Sequence, residues 1–243
     1  MTGTRYAIYF SPEPESALWL FGSRWLGRDS ATGGALECPE LKTLTTERHK
    51  AITAVPAKYG FHATLKPPFH LAKGCDRQML DEALEVFASV RETITVPALE
   101  LSELDGFIAL RPKDKCEALD ELATDCVRDF DHFRAPPTTS ELARRNKANL
   151  TANQKKMLET WGYPYVMNEF HFHMTLTDRL VDDERKTVMA EIAPHVRSIM
   201  STPVQINLIT LYAQKNASAP FEVVKCYMLN GLPNSRWLQQ KPR

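Results

Sequence analysis

Two short stretches of sequence decide the fold: YGFHATLK at Tyr59–Lys66 and FHFHMTLT at Phe170–Thr177. Each stretch is rich in aromatic and apolar residues and contains the tetrapeptide H-x-T-L, which begins at His62 in the first and at His173 in the second. Short runs of this composition predict β-strands, the first of them ending at Pro67 and Pro68. These two predicted strands are the starting point for predicting the rest of the chain.

The two stretches have matching surroundings. An apolar run starts at Ile94 in the first half and at Gln205 in the second, and the interval from His62 to Ile94 equals that from His173 to Gln205. In each half an amphipathic helix fills the interval, and two short strands follow it. The equal intervals predict an internal duplication. Its period, the separation of His62 from His173, is too long for a solenoid.

We therefore expect an α+β fold, duplicated and two-lobed, with antiparallel sheets, helices on the outside and a pseudo-twofold cleft between the lobes. The first lobe spans about 40–112, the second about 166–230, and a helical insertion occupies about 136–165. Although 243 residues correspond to roughly 1.6 average domains, the cleft needs both lobes. The chain is predicted to be one bilobal domain.

Composition excludes several classes of protein. Hydrophobic residues make up 43% and charged residues 25% of the chain, which is typical of a globular protein and excludes wholesale disorder. Thirty basic and thirty acidic side chains give a formal charge of zero, so the broad basic surface of a non-specific DNA or membrane binder is not expected. Any anionic ligand is expected to bind locally.

Targeting signals and cysteine patterns point to the cytoplasm. The opening sequence MTGTRYAIYF meets Pro12 and Glu13 without the apolar core of a signal peptide, and no apolar run approaches the roughly 18 residues of a membrane span. The five cysteines are spread out and form no C-x-x-C pair, as expected of free thiols in a reducing compartment. We expect a soluble, cytoplasmic protein with no membrane partner.

The paired motifs suggest a specific chemistry. Side chains two positions apart on a strand share a face, so His62 lies beside Thr64 and His173 beside Thr175. If the lobes face each other, two imidazoles and two hydroxyls converge. One imidazole can take a proton from an attacking oxygen while the other protonates a leaving oxygen. The hydroxyls can stabilise charge on phosphoryl oxygens, and the scheme requires no metal or other cofactor.

These motifs resemble those of the two-histidine (2H) phosphoesterase superfamily, which includes 2′,3′-cyclic nucleotide phosphodiesterases and RNA 2′-5′ ligase-like proteins. More narrowly, YGFHATLKPPFHLA and FHFHMTLTDRL are similar to a bacterial branch associated with phosphonate utilisation. The resemblance implies a hydrolase acting on a cyclic phosphodiester, such as a nucleoside 2′,3′-cyclic phosphate or a ribose cyclic phosphate. The resemblance also implies the binding partner: a small-molecule cyclic phosphate or nucleotide, or alternatively an RNA end.

Three further residues are predicted to contact the substrate. Lys66 has the parity of Thr64 and could neutralise phosphate charge. Tyr59 has the opposite parity to His62, so only a bend at Gly60 would bring its hydroxyl to the site. Arg179 follows the second motif, where its guanidinium could hold phosphate through two hydrogen bonds. A solvated surface position is the competing interpretation for Lys66 and Arg179.

Two alternatives stay open. A metallohydrolase could use His62, His171 and His173, with His70 nearby, although no carboxylate lies at a matching short spacing in the first half. A non-catalytic module could instead bind a nucleotide or phosphate without turnover. The basic segment at 140–161 could clamp a substrate or form a solvated helix face; its cationic residues are Arg144, Arg145, Lys147, Lys155 and Lys156.

Overall fold

The computed structural model describes residues 3–138 and 149–229. Within these ranges the regular elements follow one another as β1 (Arg5–Phe10), α1 (Ala17–Trp25), α2 (Thr46–Tyr59), β2 (Ala63–His70), α3 (Arg77–Ser89), β3 (Ile94–Val96), β4 (Leu99–Leu104), β5 (Phe107–Pro112), α4 (Glu117–Asp129), α5 (Ala152–Trp161), β6 (Met174–Thr175), α6 (Asp182–Met200), β7 (Val204–Ile206), β8 (Leu208–Gln214) and β9 (Glu222–Met228). No helix in the described part of the chain is long and apolar enough to cross a membrane.

Side-chain caps set where the helices begin. The hydroxyl of Ser16 accepts a hydrogen bond from the Trp19 N–H, so α1 starts after Ser16. Helix α2 starts after Thr45, whose hydroxyl caps it, and continues through Pro56 to Tyr59.

Seven strands form one antiparallel sheet in the order β4-β5-β6-β2-β1-β8-β9, while β3 pairs with β7. The α+β class with a large antiparallel sheet and helices is confirmed. The first-half hairpin β4–β5 extends the sheet from β6, the strand of the second motif, and β8 of the second half pairs with β1. The two halves thus share one sheet, and the lobe boundaries remain a prediction.

The strands of the two motifs differ from the predicted ones. Strand β2 continues through Pro67 and Pro68 to His70, because β6 pairs with β2 only at Ala63, which leaves that edge of β2 free where proline cannot donate a hydrogen bond. Strand β6 is short, Met174–Thr175. It ends where the Thr177 hydroxyl accepts the Ile108 N–H at 3.0 Å, in place of a strand carbonyl.

The two faces of the sheet carry different residues. One face joins the main hydrophobic core, which the helices cover, and its middle strands contribute Ala63, Leu65, Met174 and Leu176. The opposite face carries a smaller aromatic cluster, which consists of Ala7, Tyr9, Tyr212 and Phe221 with Tyr59 and Val223 against it. Because side chains alternate along a strand, the H-x-T side chains lie on this second face.

Candidate active site

The pairing of β2 with β6 brings the two motifs together. Ala63 lies opposite Met174 in an antiparallel register, so one step to either side places His62 opposite Thr175 and Thr64 opposite His173. The two histidines are then diagonal neighbours across adjacent strands, at a typical Cα separation of roughly 7–8 Å. All four side chains lie on the face away from the core.

Each imidazole is held by a backbone carbonyl two residues before it. Nδ1 of His62 lies 2.8 Å from the Gly60 oxygen, and Nδ1 of His173 lies 2.7 Å from the His171 oxygen. A carbonyl oxygen only accepts hydrogen bonds, so both Nδ1 atoms carry a proton. Nε2 is therefore the nitrogen that can gain or lose a proton on each ring, and on His62 it lies 3.2 Å from the Thr64 hydroxyl.

The turn before His62 depends on Gly60. This residue has φ +80°, and a Cβ there would lie 2.5 Å from the Cβ of Ser30, so both its conformation and its surroundings favour glycine. The turn ends helix α2 at Tyr59 and begins the approach to β2. It aims the Gly60 carbonyl at the imidazole of His62.

Burial favours the neutral form of both imidazoles. Loss of solvent lowers the pKa of His62 to about 4; the hydrogen bond to Gly60 opposes this shift, and the charge that His173 can carry adds to it. Burial also lowers the pKa of His173, and the charge that His171 can carry and the charge of Arg111 act in the same direction. Both imidazoles are therefore expected to gain and lose their protons at a lower pH than an ordinary histidine does.

Tyr9 supports His62 from the neighbouring strand. Its ring stacks on the imidazole at 3.8 Å between centroids, and Tyr9 itself is only 1% exposed. Behind it, the Tyr212 hydroxyl is hydrogen-bonded to the hydroxyls of Ser11 at 2.6 Å and Ser30 at 3.0 Å. Tyr9 faces the site because its partner in the β1–β2 register is Thr64.

The structure does not bring Lys66 to the site. A β-bulge in β2 pairs Tyr9 with Thr64 but Ile8 with Lys66, so the extra residue turns Lys66 to the core face. There Nζ donates to the Val127 carbonyl at 2.9 Å and lies 3.5 Å from an Asp131 carboxylate oxygen. Burial lowers the pKa of Lys66 to about 8. The prediction that Lys66 shares the face of Thr64 and binds phosphate is wrong.

Tyr59 and Arg179 lie at different distances from the histidines. Tyr59 is the last residue of α2 and not a strand residue; its ring lies 6.4 Å from that of His62 and stacks on Phe221 at 5.3 Å. Arg179 is exposed, and its side chain passes beside Gly106 in the β4–β5 turn. Contact of either residue with substrate remains a prediction.

The other predicted groups lie apart from the motifs. His70 contacts the Thr4 carbonyl through Nδ1 at 3.2 Å. In the described part of the chain, no three His, Cys, Asp or Glu side chains are grouped to hold a metal ion, so His62, His171 and His173 do not form such a set. Of the basic segment, Lys155 and Lys156 are exposed on α5, while Arg144, Arg145 and Lys147 fall outside the described residues.

Two residues near His173 were missed by sequence reasoning. The ring of Phe107 lies 5.6 Å from the imidazole of His173. Arg111, two residues beyond Ala109 on β5, is close enough for its charge to lower the pKa of His173. Both lie on the predicted hairpin, but only the long-range pairing of β5 with β6 identifies them as neighbours of the second motif.

Comparisons with known proteins give a family and several relatives. The family model described as "Protein of unknown function (DUF1045)" matches residues 64–222. Two curated relatives are both named Ribose 1,5-bisphosphate phosphokinase PhnN. The protein of Janthinobacterium sp. (strain Marseille) is 34% identical over 222 residues, which are 90% of this chain and 49% of the relative. The protein of Laribacter hongkongensis (strain HLHK9) is 31% identical over 226 residues, which are 93% of this chain and 52% of the relative.

The chain thus spans about half the length of the curated relatives it matches. Among solved structures, it is similar to E. coli LigT complexed with 3′-AMP, at 13% identity and a TM-score of 0.42, covering 94% of this chain and 99% of that one. It is also similar to a solved phosphoesterase, at 12% identity and a TM-score of 0.40, and the match covers 93% of this chain and 98% of that one.

Proposed function

The chain belongs to the DUF1045 family, and we propose that it is a metal-independent phosphoesterase that hydrolyses a cyclic phosphodiester. One observation carries the proposal: two H-x-T motifs lie crosswise on adjacent strands, with both Nδ1 atoms held by carbonyl groups. Two Nε2 atoms are thereby left to act on one group placed between them. Such a pair suits an in-line displacement, which needs a base on one side of phosphorus and an acid on the other.

His62 and His173 divide the reaction between them in this proposal. Nε2 of neutral His62 removes a proton from water as the water oxygen forms a bond to phosphorus. The bond from phosphorus to one ring oxygen breaks, and the proton on Nε2 of His173 passes to that oxygen. The products are a phosphomonoester and a free hydroxyl. Thr64 and Thr175 donate hydrogen bonds to the non-bridging oxygens as their charge grows.

Two features support this division of roles. His62 has a pKa lowered to about 4, so it is neutral and able to accept a proton near neutral pH. Burial lowers the pKa of His173 as well, but its hydrogen bond to the His171 carbonyl and, to a smaller extent, the Asp105 carboxylate act in the opposite direction and favour its charged form. The proton donor is therefore assigned to His173.

The candidate substrate is a ribose 1,2-cyclic phosphate that also carries a 5-phosphate. The curated relatives, about twice as long as this chain, are named for a kinase of ribose 1,5-bisphosphate. Opening this ring at the 2-oxygen would produce ribose 1,5-bisphosphate. The chain itself contains no G-x-x-x-x-G-K-[ST] pattern, the loop that holds nucleotide phosphates in many kinases. The 2H resemblance keeps nucleoside 2′,3′-cyclic phosphates and RNA ends as further candidates, and it links the activity to phosphonate utilisation.

The function is tested by turnover after removal of metals. We expect chelator-treated protein to hydrolyse ribose 1,2-cyclic phosphate 5-phosphate or a nucleoside 2′,3′-cyclic phosphate, with the new monoester detected by phosphorus NMR. Full activity without metal would exclude the metallohydrolase alternative. Binding of these compounds without turnover of any of them would contradict the proposal and favour the non-catalytic module.

The two lowered pKa values predict the pH dependence of kcat/KM. Activity rises as His62 loses its proton, near pH 4, and falls as His173 loses its proton, below the ordinary histidine value of about 6.5. We expect a bell-shaped profile centred on the acid side of pH 6.5, measured between pH 3.5 and 9 in buffers of constant ionic strength. A plateau that extends above pH 8 would contradict the assignment of His173 as the acid.

A further inference from the structure

Arg111 occupies a defined place beside the second motif. In the β5–β6 pairing Ala109 lies opposite Thr175 and Leu110 opposite Met174. The next step of this antiparallel register places Arg111 opposite His173. Since Leu110 points into the core, Arg111 lies on the other face, where the H-x-T side chains are.

The guanidinium of Arg111 lacks a protein counter-charge. The residue is half-buried, and on its other side the β4–β5 register places Glu100 opposite it. Even so, among residues 3–138 and 149–229 Arg111 takes part in no ion pair, with Glu100 or with any other carboxylate, and its side chain makes no hydrogen bond. Partial burial of an unpaired cation is unfavourable. An arginine in this state is suited to holding an anion through two parallel hydrogen bonds.

A cavity opens next to Arg111. It has a volume of about 640 Å³, within the range of small-molecule sites. Its lining is mixed in charge: the cations are Arg111, Lys113, Lys115 and Arg128, and the carboxylates are Asp114, Asp120, Glu121 and Asp125. A lining that offers both cations and carboxylates suits a sugar phosphate, whose phosphate would bind Arg111 and whose hydroxyls could donate to the carboxylates.

The space available to a substrate differs between the side of the site next to His62 and the side next to His173. Beside His62 the space is filled by the stacked ring of Tyr9 and, behind it, by Tyr212 and Phe221, all at most 1% exposed. The cavity lies beyond the end of the β5–β6 pair, where Arg111 and His171 line it and none of His62, Thr64, His173 and Thr175 does. A substrate whose phosphodiester sits between the histidines therefore has room for its remaining part on the side of Arg111.

We propose that Arg111 and the cavity it lines form a second anion subsite, which binds a phosphomonoester group of the substrate remote from the phosphodiester that is hydrolysed. This inference rests on the proposed function and assigns a binding place to the second phosphate that the candidate substrate carries. It also explains why His173 is next to the leaving oxygen: the body of the substrate, which keeps that oxygen, lies on the side of Arg111.

Equilibrium binding tests the subsite without relying on turnover. We expect wild-type protein to bind α-D-ribose 1,5-bisphosphate about tenfold to a hundredfold more tightly than α-D-ribose 1-phosphate in titration calorimetry, the usual effect of a hydrogen-bonded charge pair. Arg111→Ala should reduce this preference to less than twofold, and Arg111→Lys should retain part of it. Arg197→Ala, which removes an exposed cation on α6, is the matched control and should retain the preference.

Turnover gives the second readout. Arg111→Ala should lower kcat/KM for ribose 1,2-cyclic phosphate 5-phosphate at least tenfold, mainly through KM, and change it little for ribose 1,2-cyclic phosphate. Equal losses on both compounds would overturn the inference, because Arg111 would then contact the reacting phosphate. Absence of any preference for the bisphosphate in wild-type protein would overturn it as well. A preference that depends on Arg111, together with no turnover of any cyclic phosphate, would uphold the subsite and refute the proposed function.

Discussion

Replacement of His62 or His173 by alanine is expected to lower kcat/KM for the cyclic phosphodiester by about 10³-fold, the contribution of one positioned acid or base. The reason is geometric: each ring presents Nε2 to the site because its Nδ1 is held by the carbonyl of Gly60 or His171. Without either ring, one of the two proton transfers must go through water. The double variant should lose little more than the worse single one, since groups that act as a unit are not additive.

Matched variants separate chemistry from folding. His62→Asn keeps an amide that can donate to the Gly60 carbonyl but cannot transfer a proton, so it should be as inactive as His62→Ala while unfolding closer to wild type. His195→Ala, at an exposed position on α6, should keep full activity. Thermal unfolding by circular dichroism checks each variant. A rate in His62→Ala within tenfold of wild type would contradict the proposed base.

The convergence of these histidines could be anticipated from the sequence. Alternation along a strand placed His62 with Thr64 and His173 with Thr175, and the equal intervals that follow the two motifs implied equivalent positions in two halves. The register of β2 with β6 then puts the motifs crosswise on neighbouring strands. Local pattern was sufficient because each motif lies on one strand face and next to the other motif.

Departures from regular alternation could not be anticipated. The bulge that turns Lys66 into the core involves no glycine and leaves no mark in the sequence T-L-K. The boundary that puts Tyr59 in α2 lies at Gly60, because the helix continues through Pro56, a residue type that commonly interrupts helices. Both errors are of local geometry, and both affect residues that parity alone had been used to assign.

Long-range pairing accounts for what was missed. Tyr9 and Arg111 reach the site only because β1 pairs with β2 and β5 with β6, contacts between segments that are far apart along the chain. Strand pairing and register between such distant segments cannot be read from the local pattern of a single sequence. Arg111 lies at the end of a hairpin strand, and no local sequence pattern marks it as a neighbour of His173.

The second large effect is expected from the threonine hydroxyls. Thr64→Val and Thr175→Val remove one donor each from the face that carries the histidines, and loss of one such donor typically costs about 10²-fold to 10³-fold in kcat. Because these donors act on charge that develops in the transition state, KM should change little. Steady-state kinetics on the cyclic phosphodiester that the chelator-treated protein hydrolyses measures both constants.

Three further variants make this prediction specific. Thr64→Ser and Thr175→Ser keep the hydroxyl and should recover most of the lost kcat, whereas a purely structural role of the methyl group would leave them as impaired as the valine variants. Thr187→Val, which removes a hydroxyl that donates to the Asp183 carbonyl on α6, should match wild type. Thr64 also lies 3.2 Å from Nε2 of His62, so Thr64→Val should shift the acid limb of the pH profile while Thr175→Val should not. An unchanged kcat in both valine variants would mean that the hydroxyls do not contact the phosphoryl oxygens.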